Sequence, residues 1–334
     1  MQKTISKYKA KIAGTGSYLP NKKVSNHDLV ELLAQKNIET SDEWIFSRSG
    51  IKFRHYAEYE NTSEMAYISA KKALEKANIE PNQIDLIIVA TSTSDYIFPS
   101  TACVVQQKLG ITNNCAAFDL QAVCAGFIYA FSTAAQFIEN GMYKNVLVIG
   151  SETFSRLLNF EDRTTCVLFG DGAGAVVLTR NEDENCSSQI KSSILRANGH
   201  EIEMLYAKSH VQNGNIIGQP FVHMDGKAVF KMAIACLEQA ASEALKLANL
   251  DAKALDWLIP HQANIRIMQG TAKKVGLPLE KMIATVQEHG NTSAASIPLA
   301  LDTAVCDGRI KKGDNILMEG VGAGFGWGAV VIEY

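Results

Sequence analysis

Ala73–Ala90 reads ALEKANIEPNQIDLIIVA, and Ala244–His261 reads ALKLANLDAKALDWLIPH. Shifted by 171 residues, Ala73, Leu74, Ala77, Asn78, Asp85 and Ile88 meet Ala244, Leu245, Ala248, Asn249, Asp256 and Ile259. Each copy has the pattern of an amphipathic helix, a short polar turn and an apolar strand. Two further echoes follow in the same order: Asn145-Val-Leu-Val-Ile-Gly150 with Asn315-Ile-Leu-Met-Glu-Gly320, and Gly174-Ala-Val-Val-Leu178 with Gly328-Ala-Val-Val-Ile332. One echo is what any two helix–strand segments produce by chance. Three in register predict a duplicated α/β unit. The segments DLIIVA, NVLVIG, AVVLT, DWLIP, NILME and AVVIEY are continuous apolar runs, the mark of strands covered on both faces. Ala-rich helices supply the cover, and two such halves share one five-layered αβαβα core. Arg180–Ser192, RNEDENCSSQIKS, is the most polar stretch and reads as the connection. It divides the chain into an N-terminal half, 1–180, and a C-terminal half, 181–334.

Composition agrees with a folded chain of this size. Of 334 residues, 47% are hydrophobic and 20% charged, which excludes a disordered polypeptide. The formal net charge of −3 argues against nucleic acid as partner, since phosphate binding needs concentrated positive charge. The seven cysteines form no CxxC pair, so a disulfide framework or a four-Cys zinc site is not expected, and a reducing compartment is. No apolar run reaches the roughly 18 residues that span a bilayer. The first residues, MQKTISKYKAKIAG, lack the apolar centre of a signal peptide. A soluble cytoplasmic protein, with no membrane partner, is the expectation.

Three positions stand out for chemistry. Cys124, in Phe118-Asp-Leu-Gln-Ala-Val-Cys-Ala-Gly-Phe-Ile-Tyr-Ala-Phe131, falls where a strand ending near Val123 gives way to an Ala- and aromatic-rich helix that stops at Gly141. A thiol at a helix N-terminus has its thiolate favoured by unpaired amides and the dipole, which is how nucleophilic cysteines are activated. A buried structural cysteine, the common fate of a free thiol, fits the same segment. His261, in Pro260-His-Gln-Ala-Asn-Ile-Arg266, follows a strand at the edge where open α/β sheets bind ligands. A core or capping histidine fits there too. Asn291, in Glu288-His-Gly-Asn-Thr-Ser-Ala-Ala-Ser-Ile-Pro298, reads locally as a turn asparagine before a capped helix. All three lie at strand-to-helix turns, and the repeat sets such turns of the two halves side by side. Gly170-Asp-Gly-Ala-Gly174 and Gly320–Gly328 contain no strict GxGxxG and lead into strands, so they read as tight backbone passages beside a buried site.

FDLQAVCAGF, PHQANIRI, GNTSAASIP, FGDGAGAVVL and GAGFGWGA together resemble the β-ketoacyl-acyl-carrier-protein synthase III family, from the first strand to Tyr334. The resemblance implies the thiolase-like fold, a homodimer, and a catalytic Cys124, His261 and Asn291. Asn in GNTS, where thiolases carry a second Cys and elongating synthases a second His, points to the initiating type. By the same resemblance, Trp44, Arg48, Arg163, Gly226, Phe230 and Asn264 contact CoA, Gln262, Ala263, Asn264, Ile265 and Arg266 face the acyl-carrier protein, and Phe98 reaches across the dimer to cap the partner's acyl pocket. No metal and no cofactor is implied; acyl-CoA is a substrate, acetyl-CoA by default.

The implied reaction has two halves. The Cys124 thiolate takes the acyl group from acyl-CoA. Malonyl-acyl-carrier protein then loses CO₂, and its enolate attacks the acyl-enzyme. Cys124, Ala323 and Gly324 amides form the oxyanion hole, while His261 and Asn291 donate to the enolate oxygen. Arg266, Lys273 and Lys274 either form a basic rim for an acidic carrier or a solvated helix face. Trp44 taken alone reads as a core aromatic. Two other readings compete: a same-fold condensing enzyme or acyltransferase of secondary metabolism, and a non-catalytic acyl-CoA-binding protein. A dehydrogenase is disfavoured by the missing phosphate loop.

Overall fold

The computed structural model describes residues 7–183 and 185–334. The first six residues of the segment read above against a signal peptide, and Glu184 of the connection, lie outside the described residues. The strands are β1 (Lys9–Tyr18), β2 (Lys22–Ser25), β3 (Phe53–Tyr56), β4 (Leu86–Ala90), β5 (Ala116–Leu120), β6 (Asn145–Glu152), β7 (Gly172–Asn181), β8 (Gln189–Ala197), β9 (Leu205–Gln212), β10 (Asn215–Met224), β11 (Trp257–Pro260), β12 (Asn315–Gly322) and β13 (Gly326–Glu333). The α-helices are α1 (Asn26–Ala34), α2 (Asp42–Ser49), α3 (Thr62–Ala77), α4 (Thr101–Lys108), α5 (Gly126–Glu139), α6 (Gly226–Ala248), α7 (Ile265–Val275), α8 (Val286–His289) and α9 (Ser296–Cys306).

The first sheet runs β1-β7-β6-β4-β5 and the second β8-β13-β12-β11. Read in this direction the orders correspond, and so do the pairings: antiparallel, antiparallel, then parallel. The fifth strand of the first sheet has a remnant in the second, a parallel bridge from Leu258 to Met282. The repeated residues do the same work twice. Helices α3 and α6 both end on an asparagine in the left-handed region, Asn78 (φ 52°) and Asn249 (φ 53°), where a short polar side chain tolerates positive φ. Asp85 and Asp256 each accept from the first amide of the neighbouring strand, Asn145 and Asn315, both at 2.9 Å.

Alternation along each strand builds the layers. In the first sheet Ile87, Val89, Leu147 and Ile149 face α3 and α4, while Leu86, Ile88, Val146 and Val148 face α5 and α9. In the second, Ile316, Met318, Val330 and Ile332 face the same α5 and α9, while Leu317, Val321, Ala329 and Val331 face α6 and α7. The result is the five-layered αβαβα arrangement, with α5 and α9 sandwiched between sheets. Helix α5 is apolar nearly all round because both sheets bury it.

The polar stretch read as the connection is shorter than expected. Its ends belong to β7 and β8, and only 182–188 join them. Strand β8 is an edge of its sheet, where polar residues face water at little cost. Segment 26–60 of the first half also reaches the second: Ile51 packs in the core beneath α6 and α7.

The middle layer is set by two backbone approaches. A Cβ on Gly150 would lie 2.3 Å from the Ala294 carbonyl oxygen, and one on Gly174 would lie 2.7 Å from Leu299 N. We expect Gly150→Ala to force β6 from the turn before α9 and destabilise the fold by about 1–3 kcal/mol, read as a lowered denaturant midpoint.

Candidate active site

One cavity of about 680 Å³ has Cys124, His261 and Asn291 in its lining. The first two follow strands β5 and β11, but Asn291, expected at a strand-to-helix turn, lies between helices α8 and α9 with only an isolated bridge to Phe169. Cys124 does not sit on the end of β5 directly. The strand stops at Leu120, and a single 3₁₀ turn, Val123–Ala125, precedes α5. Val123 holds φ at +47°, an unfavourable value for a β-branched side chain and the kind of strain that active-site turns carry. His261 leaves β11 with its backbone amide on the Glu319 carbonyl at 2.7 Å. Asn291 follows Gly290 and is clamped by its backbone: its N–H donates to Leu168 O, and its carbonyl accepts from Gly170 N, both at 2.9 Å.

The side chains are oriented from behind. Asn291 Oδ1 accepts from Ser293 N at 2.9 Å, so its amide NH₂ is the end left for the cavity. His261 Nδ1 shares a 2.6 Å hydrogen bond with Ser296 Oγ, which also accepts from Gln262 N at 3.3 Å. The Cys124 thiol donates to Ser293 Oγ at 3.5 Å. Ser293, Ser296 and Glu152 were not singled out in the sequence. Two of them sit in the GNTSAASIP segment; Ser293 meets Cys124 and Glu152 only across the halves, and Ser296 meets His261 and Gln262 within its own half.

Burial dominates the electrostatics. It lowers the His261 imidazole to about 3, so the ring is neutral across the physiological range. It pushes the Cys124 thiol up to about 12, against the opposing pull of Ser293 and the residue's own backbone amide. This corrects the expectation of a resting thiolate. The helix-end amides are there, but in a water-excluded layer their pull does not match the cost of desolvating a charge.

The residues proposed around the ligand fall into groups. Trp44, Arg48, Gly226, Phe230 and Asn264 line the cavity. Arg163 is not among the lining residues; its guanidinium stands 4.7 Å from the Trp44 ring centroid, with Arg48 at 5.1 Å, and it donates to the Glu39 carbonyl. Trp44 is also packed on the core near α1 and α2, so the rim and core readings both hold. Asn264 caps α7 through Arg266 N and ties down the Arg48 carbonyl at 2.7 Å. Arg266 is exposed and lies over Phe230, and Ala263 lines the cavity. Ile265 is half-buried against Gly50.

Gln262 is a correction. It is buried, its amide donates to Pro260 O at 2.6 Å and Ile283 O at 3.2 Å, and its oxygen accepts from Thr285 N at 2.8 Å. It secures a loop and presents nothing to a partner. Of the glycine-rich turn, Gly322 packs against Cys124, where a Cβ would come 2.8 Å from Cys124 N. Ala323 is half-buried beyond it, and Gly324 is exposed at the tip. Phe98 is 83% exposed in this single chain and is not among the cavity's lining residues. Among the described residues no group of His, Cys, Asp or Glu is disposed to hold a metal ion, and no helix is long and apolar enough to cross a membrane.

A duplicated five-layered core with Cys, His and Asn on one cavity defines a thiolase-like condensing enzyme. Family models for 3-oxoacyl-[acyl-carrier-protein] synthase III match residues 118–199, and for its C-terminal part residues 245–334. The 3-oxoacyl-[acyl-carrier-protein] synthase III of Aquifex aeolicus VF5 is 46% identical over 97% of this chain and 100% of its own, with a TM-score of 0.89. The corresponding enzyme of Pseudomonas aeruginosa PAO1 is 38% identical over 98% of each chain, with a TM-score of 0.90. The priming β-ketosynthase of the R1128 polyketide pathway is 34% identical over 99% of this chain and 98% of its own, with a TM-score of 0.89. The chain belongs to the 3-oxoacyl-[acyl-carrier-protein] synthase III family and is an acyltransferase of the β-ketoacyl-synthase type.

Because Gln262 is internal and Arg266 external, their variants should separate. Gln262→Ala strips four buried backbone groups of a partner and is expected to cost about 1–3 kcal/mol in chemical denaturation. Arg266→Glu should leave the unfolding curve in place.

Proposed function

We propose that the enzyme loads a short acyl group, acetyl by default, from acyl-CoA onto Cys124 and condenses it with malonyl-acyl-carrier protein. The observation that carries the reading is the convergence of Cys124, His261 and Asn291 on one cavity. Its size suits a pantetheine arm. Trp44 and Arg48 at the rim suit an adenine ring and its phosphates, with Arg163 behind Trp44. Gly226, Phe230 and Asn264 line the way in.

Once the acyl-enzyme has formed, the second half-reaction needs donors. Ser296 Oγ accepts the Gln262 amide, and its hydroxyl proton is taken to lie toward His261 Nδ1. That arrangement leaves the imidazole proton on Nε2. A neutral Nε2–H and the Asn291 NH₂ are two donors suited to the enolate oxygen that develops as CO₂ leaves. The thioester oxygen of the acyl-enzyme is assigned to the amides of Cys124 and Ala323; the exposure of Gly324 makes it the lesser candidate.

A dimer is part of the proposal. Tyr96, Ile97 and Phe98 form a run of exposed apolar residues, 56%, 79% and 83% accessible, that a second copy would cover. Arg266, with Lys273 and Lys274 about two turns on, is the proposed docking face for the acidic carrier protein. Halves 1–180 and 181–334 are taken as the two repeats, and the cytoplasm as the place of action.

Intact-protein mass spectrometry after incubation with a panel of acyl-CoAs tests this reading. One acyl increment on the wild type and none on Cys124→Ala is expected; acylation surviving in the variant would assign the nucleophile elsewhere. Asn291→Ala should slow decarboxylation by a factor of about 10²–10³ and spare acyl-enzyme formation. Equal loss in both half-reactions would remove the donor role.

A further inference from the structure

The reading above leaves one proton without a destination. Cys124 rests as a thiol and must lose its proton to attack a thioester. Among the described residues the Cys124 thiol makes its hydrogen bond to Ser293 and not to His261, whose Nδ1 is engaged by Ser296 Oγ.

The hydrogen bonds of Cys124 lead away from His261. The thiol donates to Ser293 Oγ at 3.5 Å, and Ser293 Oγ donates to Glu152 Oε1 at 3.1 Å. Both steps run in one direction, and all three residues are buried. Glu152, at the end of β6, is fully enclosed and has no positively charged partner among its hydrogen bonds. Its carboxylate instead accepts from Thr93 Oγ1 at 2.5 Å, Thr91 Oγ1 at 3.3 Å and Ser92 N at 3.1 Å. Four neutral donors around one buried carboxylate stabilise its charge without removing its basicity. We infer that Glu152, acting through the Ser293 hydroxyl, is the proton acceptor for Cys124 during acyl loading. The inference rests on Cys124 being the nucleophile.

The accounting closes. As the thiol proton passes to Ser293 Oγ, the Ser293 proton passes to Glu152, and the thiolate sulfur forms its bond to the acyl carbon. The acyl–S bond to CoA breaks, and the CoA thiolate takes a proton from solvent at the tunnel mouth. Glu152 stays neutral while the acyl-enzyme lives, so the incoming malonyl carboxylate meets no second negative charge below Cys124. When the enolate attacks and the acyl group departs, Cys124 leaves as thiolate and recovers the stored proton by the same path. One malonyl carboxylate is lost as CO₂, and one solvent proton is consumed in making free CoA.

The titration of Glu152 fits this use. Burial raises it to about 7 despite its donors. The elements around it bring few charges. β4 leads to Thr91–Thr93, with Asp95 beyond turned to Ser63 N. The turn before α9 brings Ser293, and that before α5 brings Cys124, which the Glu152 charge raises further. On the β7 side, next to the Gly172 that pairs with Glu152, Asp171 is engaged by Ser155 and Ala57. An acceptor ionised only above about pH 7 makes loading accelerate as pH rises through that value.

Single-turnover loading with acetyl-CoA, followed by intact mass from pH 5.5 to 9.5, tests the relay. The wild type should show a rise centred near neutrality. Glu152→Gln should load about 10²-fold more slowly and lose that inflection, with Glu152→Asp restoring part of both. Ser293→Ala removes the bridge and leaves the other ligands of Glu152 in place, so it tests the relay even if Glu152→Gln does not fold. Decarboxylation of malonyl-carrier protein on pre-acylated enzyme should fall far less than loading in either variant. Wild-type rate and pH profile in both variants would overturn the relay while leaving Cys124 as nucleophile. A wild type that takes no acyl group on Cys124 would overturn both.

Discussion

The constraint on which this molecule depends is the contact between two turns that precede the central helices. The turn 123–125 opens α5 and the turn 293–295 opens α9. Each begins with a residue at positive φ, Val123 at +47° and Ser293 at +50°. They meet because Gly150 lets β6 lie against Ala294 and Gly322 lets β12 lie against Cys124. Without those two bare backbones the sheets would stand further apart, and Cys124 of one half would lose Ser293 of the other.

That contact also explains why the chemistry is buried. The middle layer is dry because both sheets cover it, and desolvation is the largest cause of three shifts: the His261 imidazole down, the Cys124 thiol and the Glu152 carboxyl up. Each shift favours the neutral form. Glu152 alone of the three is placed to carry charge near neutrality, and neutral donors act at full strength in such a low-dielectric surround. The cost is that the thiol is a poor nucleophile until a proton acceptor is engaged.

Much of this was legible in the sequence. The repeat of Asn78 and Asp85 at Asn249 and Asp256 encodes the same helix stop and the same strand-edge hydrogen bond twice, and local chemistry of that kind survives in residue identity. The glycine passages were readable because a missing side chain signals close approach wherever it falls. Ser293, Ser296 and Glu152 were not readable, since a serine or a strand-end glutamate has many uses and their partners lie 35 to 169 positions away. Gln262 misled for a related reason. A polar residue beside a site histidine resembles a contact residue until the loop that its amide ties down is seen. The thiol's protonation state misled too, because a helix start is local and burial is not.

The duplication further accounts for only one of these two turns carrying a cysteine. Residues 123–126 and 293–296 are equivalent, so Cys124 corresponds to Ala294. Ala294 fills the space between Gly126 and Gly150, with its Cβ 3.5 Å from where a side chain on Gly126 would begin. A larger residue there would separate the two turns. One turn is thus committed to packing and its counterpart is free to carry sulfur. The first residue of the packing turn, Ser293, is where that geometry becomes chemical: its backbone amide fixes Asn291 and its hydroxyl meets Cys124 and Glu152. A single positive-φ serine therefore ties Asn291 to Cys124 and Glu152, joining residues from both halves.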